Sequence, residues 1–256
     1  MSEKAAKKQN VLGGAMVLVV ATALVKIIGA VYKIPLTGII GSLGRGYFAS
    51  AYNIYTPIYA ISMAGLPVAV STIVSKNAAL GKYRDVKQVL KITFPLFLAL
   101  GLVGTGALFL AAKPYVDSVG SPLAIFSVFA IAPSILLCCI MSTYRGYYEG
   151  LRNMFPTAIS SLIEAVCKLI LGYGFAYVIM KTSGDVALAA AGAMLGITIG
   201  GIASATFLTL RYKLKGDAIT EEELASSPEP QGSRDTAKTI IMIAIPVVLT
   251  SLANSV

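Results

Sequence analysis

Four runs of this chain, Phe48 to Val74, Ile92 to Ala112, Ser118 to Tyr144 and Val186 to Leu210, contain no charged side chain at all. Each exceeds the roughly 20 residues that a membrane-spanning helix requires. In hydrocarbon every backbone polar group must be satisfied within the structure, so such runs fold as helices. Three further apolar stretches carry exceptions. The first, Leu12 to about Ile40, contains Lys26 and Lys33; the fifth, Pro156 to Met180, contains Glu164 and Lys168; the seventh begins at Thr239. The chain therefore reads as an all-α integral membrane protein.

The basic residues alternate sides. With the N-terminus inside, the inner segments hold Lys4, Lys7 and Lys8, then Lys76, Lys82, Arg84, Lys87 and Lys91, then Arg145 and Arg152, then Arg211, Lys213, Lys215, Arg234 and Lys238. The outer segments hold only Lys33, Arg45, Lys113 and Lys181. That asymmetry places the N-terminus in the cytoplasm by the positive-inside rule. The net charge of +9 then reflects topology and attraction to anionic phospholipids. A nucleic-acid partner is not expected, because the cations are divided among loops instead of forming one stripe.

Residues 1–214 read as a transmembrane lobe of six spans, 215–238 as a cytoplasmic linker and 239–256 as the truncated opening span of a second lobe. The linker, with Ser226, Ser227, Pro228, Pro230, Gly232 and Ser233, has the composition of a flexible connection. The expectation is that the chain is a fragment of a longer protein and does not transport alone. Gly192, Gly196, Gly200 and Ser204 recur every four residues on the sixth span, the spacing of close helix packing. Cys138, Cys139 and Cys167 fall within spans and read as reduced packing residues. Trp is absent, so interfacial anchoring is expected of the 13 tyrosines.

Chemistry is expected where charge enters the membrane. Thr22, Lys26, Lys33 and Thr37 lie within about 40° of one face of the first helix. A buried cation there costs about 2.5–3.5 kcal/mol unless it meets water or a partner. On the fifth span Ser160, Glu164, Lys168 and Gly172 follow one another at single-turn spacing. Glu164 precedes Lys168 in the order that favours an intrahelical ion pair, and a pair with Lys26 is the other option. Asn53, Tyr55 and Tyr59 offer hydrogen bonds from the second span. Arg145 and Arg152 fall in a compact aromatic segment, Tyr144 to Pro156, read as an inner loop with a headgroup-contacting or gating role. Without His, neither zinc spacing nor a Ser-His-Asp set is available, and no phosphate-cradling loop ends in Lys-Ser or Lys-Thr. No enzyme activity, metal or cofactor is expected.

Three blocks carry a resemblance to a known group: Val25-Lys26-Ile27-Ile28-Gly29, Ala64-Gly65-Leu66-Pro67 with the residues to Lys76, and Tyr144-Arg145-Gly146-Tyr147-Tyr148-Glu149-Gly150-Leu151-Arg152-Asn153-Met154-Phe155-Pro156-Thr157-Ala158. The chain resembles the lipid-flippase and polysaccharide-export branch of the multidrug/oligosaccharidyl-lipid/polysaccharide exporter superfamily, in particular the stage V sporulation protein B and lipid II flippase families. That resemblance implies a two-lobe transporter of the bacterial cell membrane, of which this is the N-terminal half. It implies an undecaprenyl-pyrophosphate-linked saccharide as substrate, moved from inner to outer leaflet, and cell-wall synthesis proteins as partners. Lys26 aligns with a cavity arginine of the lipid II flippases, which implies headgroup contact. A second such arginine aligns near Tyr32 and Lys33, and one on the second helix falls near Tyr59 and Ala60, where this chain has no charge. A multidrug cation antiporter of the same fold and a non-transporting scaffold of a cell-wall or spore-cortex complex are the competing expectations. The antiporter reading wants an acidic residue in the first helix, where this chain has lysines.

Overall fold

The computed structural model of the chain describes residues 11–60, 62, 65–217, 219–230 and 232–253, with 11, 12, 233–235 and 247–253 described by backbone alone. Lys4, Lys7, Lys8 and Ala64 lie outside the described residues. The described residues form helices and no strand. Among the described residues five helices are long and apolar enough to cross a membrane.

The first of these, α1 (Val11–Ala60), has 50 residues. Straight, it would measure about 75 Å, more than twice the hydrocarbon core. It is instead two antiparallel spans joined at Gly41, whose φ of 64° and ψ of −165° lie outside helical geometry. Positive φ is open to glycine because it has no Cβ. The limbs then run side by side: Tyr32 and Leu36 line the same cavity as Phe48 and Tyr52, and Val25 the same cavity as Tyr59.

The run expected as one span from Phe48 to Val74 is not α-helical throughout: Ser62 and Gly65 are π-helical. Helix α2 (Leu66–Ala79) follows with Pro67 in its first turn. A carbonyl without its α-helical donor inside a membrane is tolerated where protein covers it. Here the Ser142 hydroxyl donates to the Ser62 carbonyl. The third span is α3 (Tyr83–Ser118). The fourth joins a short 3₁₀ turn, α4 (Ile125–Ile131) and α5 (Pro133–Gly150). The fifth joins α6 (Phe155–Cys167), a π turn over Lys168–Gly172 and α7 (Tyr173–Ser183). The sixth is α8 (Val186–Lys215), begun by an Asp185 cap that accepts from the amides of Ala187 and Leu188.

The small-residue stripe of α8 packs along the fifth span. A Cβ on Gly192 would meet Ile179 and Phe175, one on Gly196 would fall on the backbone of Gly172, and one on Gly200 would press the carbonyl of Glu164. Close backbone approach of this kind replaces hydrophobic driving force between helices in lipid. Gly146 and Gly150 do the same for α5 against α2, where added Cβ atoms would strike Pro67 and Val74. Helix α5 consequently runs straight through the aromatic block as far as Gly150.

That course corrects the placement of Arg145. It was expected in an inner loop, yet it lies on α5 inside the bundle, 5% exposed. The loop is short, residues 151–154, and holds the exposed Arg152 at φ 59°. The tyrosines also depart from expectation. Tyr32, Tyr55, Tyr144, Tyr147 and Tyr148 are buried among protein and do not sit as surface anchors. Cys138 and Cys139 are buried and Cys167 half-buried, all as free thiols.

The polar segment after α8 is more ordered than its composition predicted. Thr220 and Glu223 form a capping box on the short helix α9 (Glu221–Ala225). Tyr147 donates to the Asp217 carboxylate at 2.7 Å, Arg84 Nε donates to the Leu224 carbonyl at 3.2 Å, and the Arg84 amide donates to Ser227 at 3.0 Å. Helix α10 (Ser233–Ala253) then packs on α2 and α3 and buries Ile240.

Candidate functional site

Two adjoining cavities open between the α1 hairpin and the fifth span. The larger, about 370 Å³, lies toward the Gly41 corner and is lined by Lys33, Arg45 and Lys168 together with Tyr32, Phe48, Tyr52 and Asn53. Among the described residues no acidic side chain lines it. The smaller, about 220 Å³, lies along the other end of the hairpin and is lined by Tyr52, Tyr55, Tyr59, Arg145, Ser161, Glu164 and Lys168. Tyr32, Tyr52 and Lys168 belong to both.

Lys168 stands at that junction. Its ammonium lies 5.2 Å from the centroid of the Tyr32 ring and 5.6 Å from that of Tyr52. A cation over an aromatic face is attracted by the ring quadrupole, and the attraction grows as water is removed. The π turn starts at this residue, and its last member, Gly172, sits against the Tyr32 hydroxyl and Gly196. Tyr32 in turn donates to the Ala193 carbonyl at 3.2 Å. The lysine is thus placed by three elements: α1, the π turn and α8.

Glu164 does not pair with Lys168 or Lys26. Arg145 takes it, with Nη2 3.2 Å from Oε2 and side-chain exposures of 5% and 18%. The same guanidinium donates from Nε to Ser160 Oγ at 2.9 Å and from Nη2 to Ser204 Oγ at 3.4 Å. Ser204 donates onward to the Ser160 carbonyl at 3.0 Å. One arginine therefore ties α5, α6 and α8 together. A buried pair is destabilising to break, because the remaining charge is left without compensation.

Along the second limb of α1 the rings of Phe48, Tyr52, Tyr55 and Tyr59 form a continuous ladder, with successive centroids 5.7, 5.9 and 5.3 Å apart. Tyr55 packs its hydroxyl 3.7 Å from Cys138 Sγ, while Tyr52 and Tyr59 face the cavities.

Of the residues singled out in the sequence, the structure brings Lys33, Asn53 and Lys168 to the larger cavity and Glu164, Lys168 and Arg145 to the smaller. Lys26 is exposed and lines neither. Arg152 lies in the turn between α5 and α6, away from both. Sequence reasoning missed Arg45 and Tyr52, and reached Tyr32 only as a position near an aligned cavity arginine. The four-residue recurrence of aromatic rings from Phe48 to Tyr52, and again from Tyr55 to Tyr59, was the available signal, since residues four apart share a helix face.

Residues 11–256 match the family described as polysaccharide biosynthesis protein. The chain belongs to that family. This member is 29% identical over 221 residues to the lipid II flippase MurJ of Bacillus subtilis (strain 168), covering 82% of this chain and 41% of that protein. It is 31% identical over 219 residues to stage V sporulation protein B of the same organism, covering 81% of this chain and 40% of that protein. The chain thus spans less than half the length of the relatives it matches. Among solved structures, a point mutant of a MATE protein aligns with a TM-score of 0.75 at 18% identity, over 98% of this chain and 56% of that one. A MOP superfamily transporter from Pyrococcus furiosus Vc1 (DSM3638), described as having a binding pocket of reversed polarity, aligns with a TM-score of 0.74 at 18% identity and the same coverage. At that identity the likeness establishes the fold: a multi-pass helical lobe of the MATE and MOP type.

Proposed function

We propose that this chain supplies one lobe of an alternating-access flippase that carries an undecaprenyl-pyrophosphate-linked saccharide from the inner to the outer leaflet of the bacterial cell membrane. The observation that carries the reading is the larger cavity, where Lys33, Arg45 and Lys168 converge with no acidic residue among the described residues of its lining. Fixed cations in a partly dry cavity suit a pyrophosphate, whose charge is their complement. The polyprenyl tail needs no site, because it remains in lipid. Lysine acts here as a point charge and not as a planar fork, which favours a mobile passage over a rigid clamp.

The sequence asymmetry supports an N-terminus in the cytoplasm. The turn between α2 and α3, the turn between α5 and α6, and the end of α8 are held at one end of the bundle by the contacts of Tyr147, Tyr148 and Arg84 with residues 216–227. In our reading that basic end faces the cytoplasm and meets anionic phospholipids.

A cation antiporter would need a free carboxylate in the cavities. Glu164 is the acidic residue lining them, and Arg145 neutralises it. The test is binding to the chain held in lipid nanodiscs, with undecaprenyl pyrophosphate and with tetraphenylphosphonium as probes. The flippase reading expects the pyrophosphate lipid to bind and to weaken about tenfold or more in the Lys33→Ala/Lys168→Ala double variant. Binding of the organic cation alone would overturn it in favour of the antiporter.

A further inference from the structure

The two cavities differ in chemistry although they share a wall. We infer that they are two subsites of one ligand: the larger takes the pyrophosphate, and the smaller takes the first sugar ring attached to it. This rests on the flippase reading above and assigns the part of the site that reads the saccharide.

The smaller cavity adds no net positive charge to the Lys168 that it shares with the larger. Its arginine is engaged by Glu164 at 3.2 Å, so that pair contributes little net charge. It is well built for a neutral polyol. A sugar ring presents C–H faces that pack on aromatic rings and hydroxyls that need donors and acceptors at the edges. Tyr52 and Tyr59 supply ring faces and hydroxyls, Ser161 supplies another hydroxyl, and the Glu164 carboxylate keeps lone pairs beyond the one that Arg145 engages. A pocket with aromatic walls and a few fixed polar groups gives orientation and specificity. Its volume of about 220 Å³ accommodates a single sugar ring. We therefore assign to it the sugar joined directly to the pyrophosphate.

Lys168 sits where the two parts of such a ligand meet. Its ammonium, held over Tyr32 and Tyr52, borders both cavities, within reach of the phosphate oxygen that bears the sugar.

The experiment compares two probes on the chain in nanodiscs: undecaprenyl pyrophosphate, and undecaprenyl-pyrophosphoryl-N-acetylglucosamine. The wild type is expected to bind the sugar-bearing lipid about tenfold more tightly. In Tyr59→Leu, and separately in Ser161→Ala, that ratio is expected to fall toward one; Lys168→Ala should weaken both probes. A wild-type ratio of one, with both lipids bound, overturns the subsite assignment and leaves the flippase reading standing. A ratio that survives both Tyr59→Leu and Ser161→Ala also overturns it. If the wild type binds neither lipid, the flippase reading falls and this inference falls with it.

Discussion

The seam between α5, α6 and α8 and the facing hairpin of α1 both carry charge within the membrane, yet they handle it in opposite ways. At the seam Arg145 is matched by one carboxylate and two serines, and glycines bring the backbones close enough to enclose the group. On the hairpin Lys26 and Lys33 make no ion pair among the described residues and are exposed. Charge that is matched locks helices together. Charge left unmatched is available to a ligand.

That contrast can be broken most forcefully at the seam. Glu164→Ala removes the carboxylate that balances a buried guanidinium, and breaking a buried ion pair in this way costs about 3–5 kcal/mol. We expect a marked loss of thermal stability in detergent. Replacing the pair together, Arg145→Met with Glu164→Leu, is expected to recover most of it, since apolar residues of similar volume often substitute for a buried ion pair. A double variant as unstable as Glu164→Ala alone would show that the pair does more than balance itself.

The next largest effect is expected at Gly196→Val, which drives a branched side chain into the backbone of Gly172. Overpacking of this kind costs about 1–3 kcal/mol. Gly106→Ala on α3, where nothing lies within 4 Å, serves as the control that should melt with wild type. Equal melting of the two variants would remove the close contact from the account.

Smaller still is Tyr147→Phe, which removes the donor to Asp217. Asp217 is only partly buried, so water can replace the lost donor and the net cost is about 0.5–1.5 kcal/mol. Its readout is local: trypsin should cut after Lys215 several-fold faster as the segment beyond α8 loosens. An unchanged rate would assign the ordering of that segment to Arg84 instead.

Lys33→Ala sharpens the comparison from the other side. The variant is expected to melt within about 2 °C of wild type, as surface changes usually do, while losing affinity for undecaprenyl pyrophosphate. A large stability loss would place Lys33 with the structural charges.

The apolar runs announced the helices themselves, because the length and purity of an apolar run determine whether it can cross lipid. The corner at Gly41 was legible as well, since it falls where the stretch ending at about Ile40 gives way to the run from Phe48. What the runs did not announce was the change from α-helical to π-helical geometry at Ser62 and Gly65, which lies within an uncharged run. The partner of Glu164 was missed for a related reason. Lys168 is four residues away on the same helix, whereas Arg145 reaches it from another span that glycines draw inward. The aromatic block from Tyr144 to Glu149 looks interfacial by composition, and only the fit of Gly146 and Gly150 against α2 shows that it is core. At residues 220–223 the signal was present: Thr-Glu-Glu-Glu is a capping-box sequence, and the surrounding Ser and Pro residues obscured it.

The π turn at Lys168–Gly172 gives the fifth span an unusual relation to insertion and deletion. Such a turn holds one residue more than an α turn while sweeping about the same angle. Excising that residue would restore regular geometry and leave the two ends of the span facing nearly as they do now, whereas a one-residue deletion within α6 or α7 would rotate one end by about 100°. After a deletion of the second kind, the end bearing Ser160 and Glu164 would face Arg145 only if the end bearing Tyr173 and Ala176 turned away from Tyr32, or the reverse. This helix is therefore constrained in angle more than in length, and the loss of one residue should be better tolerated inside the π turn than on either side of it.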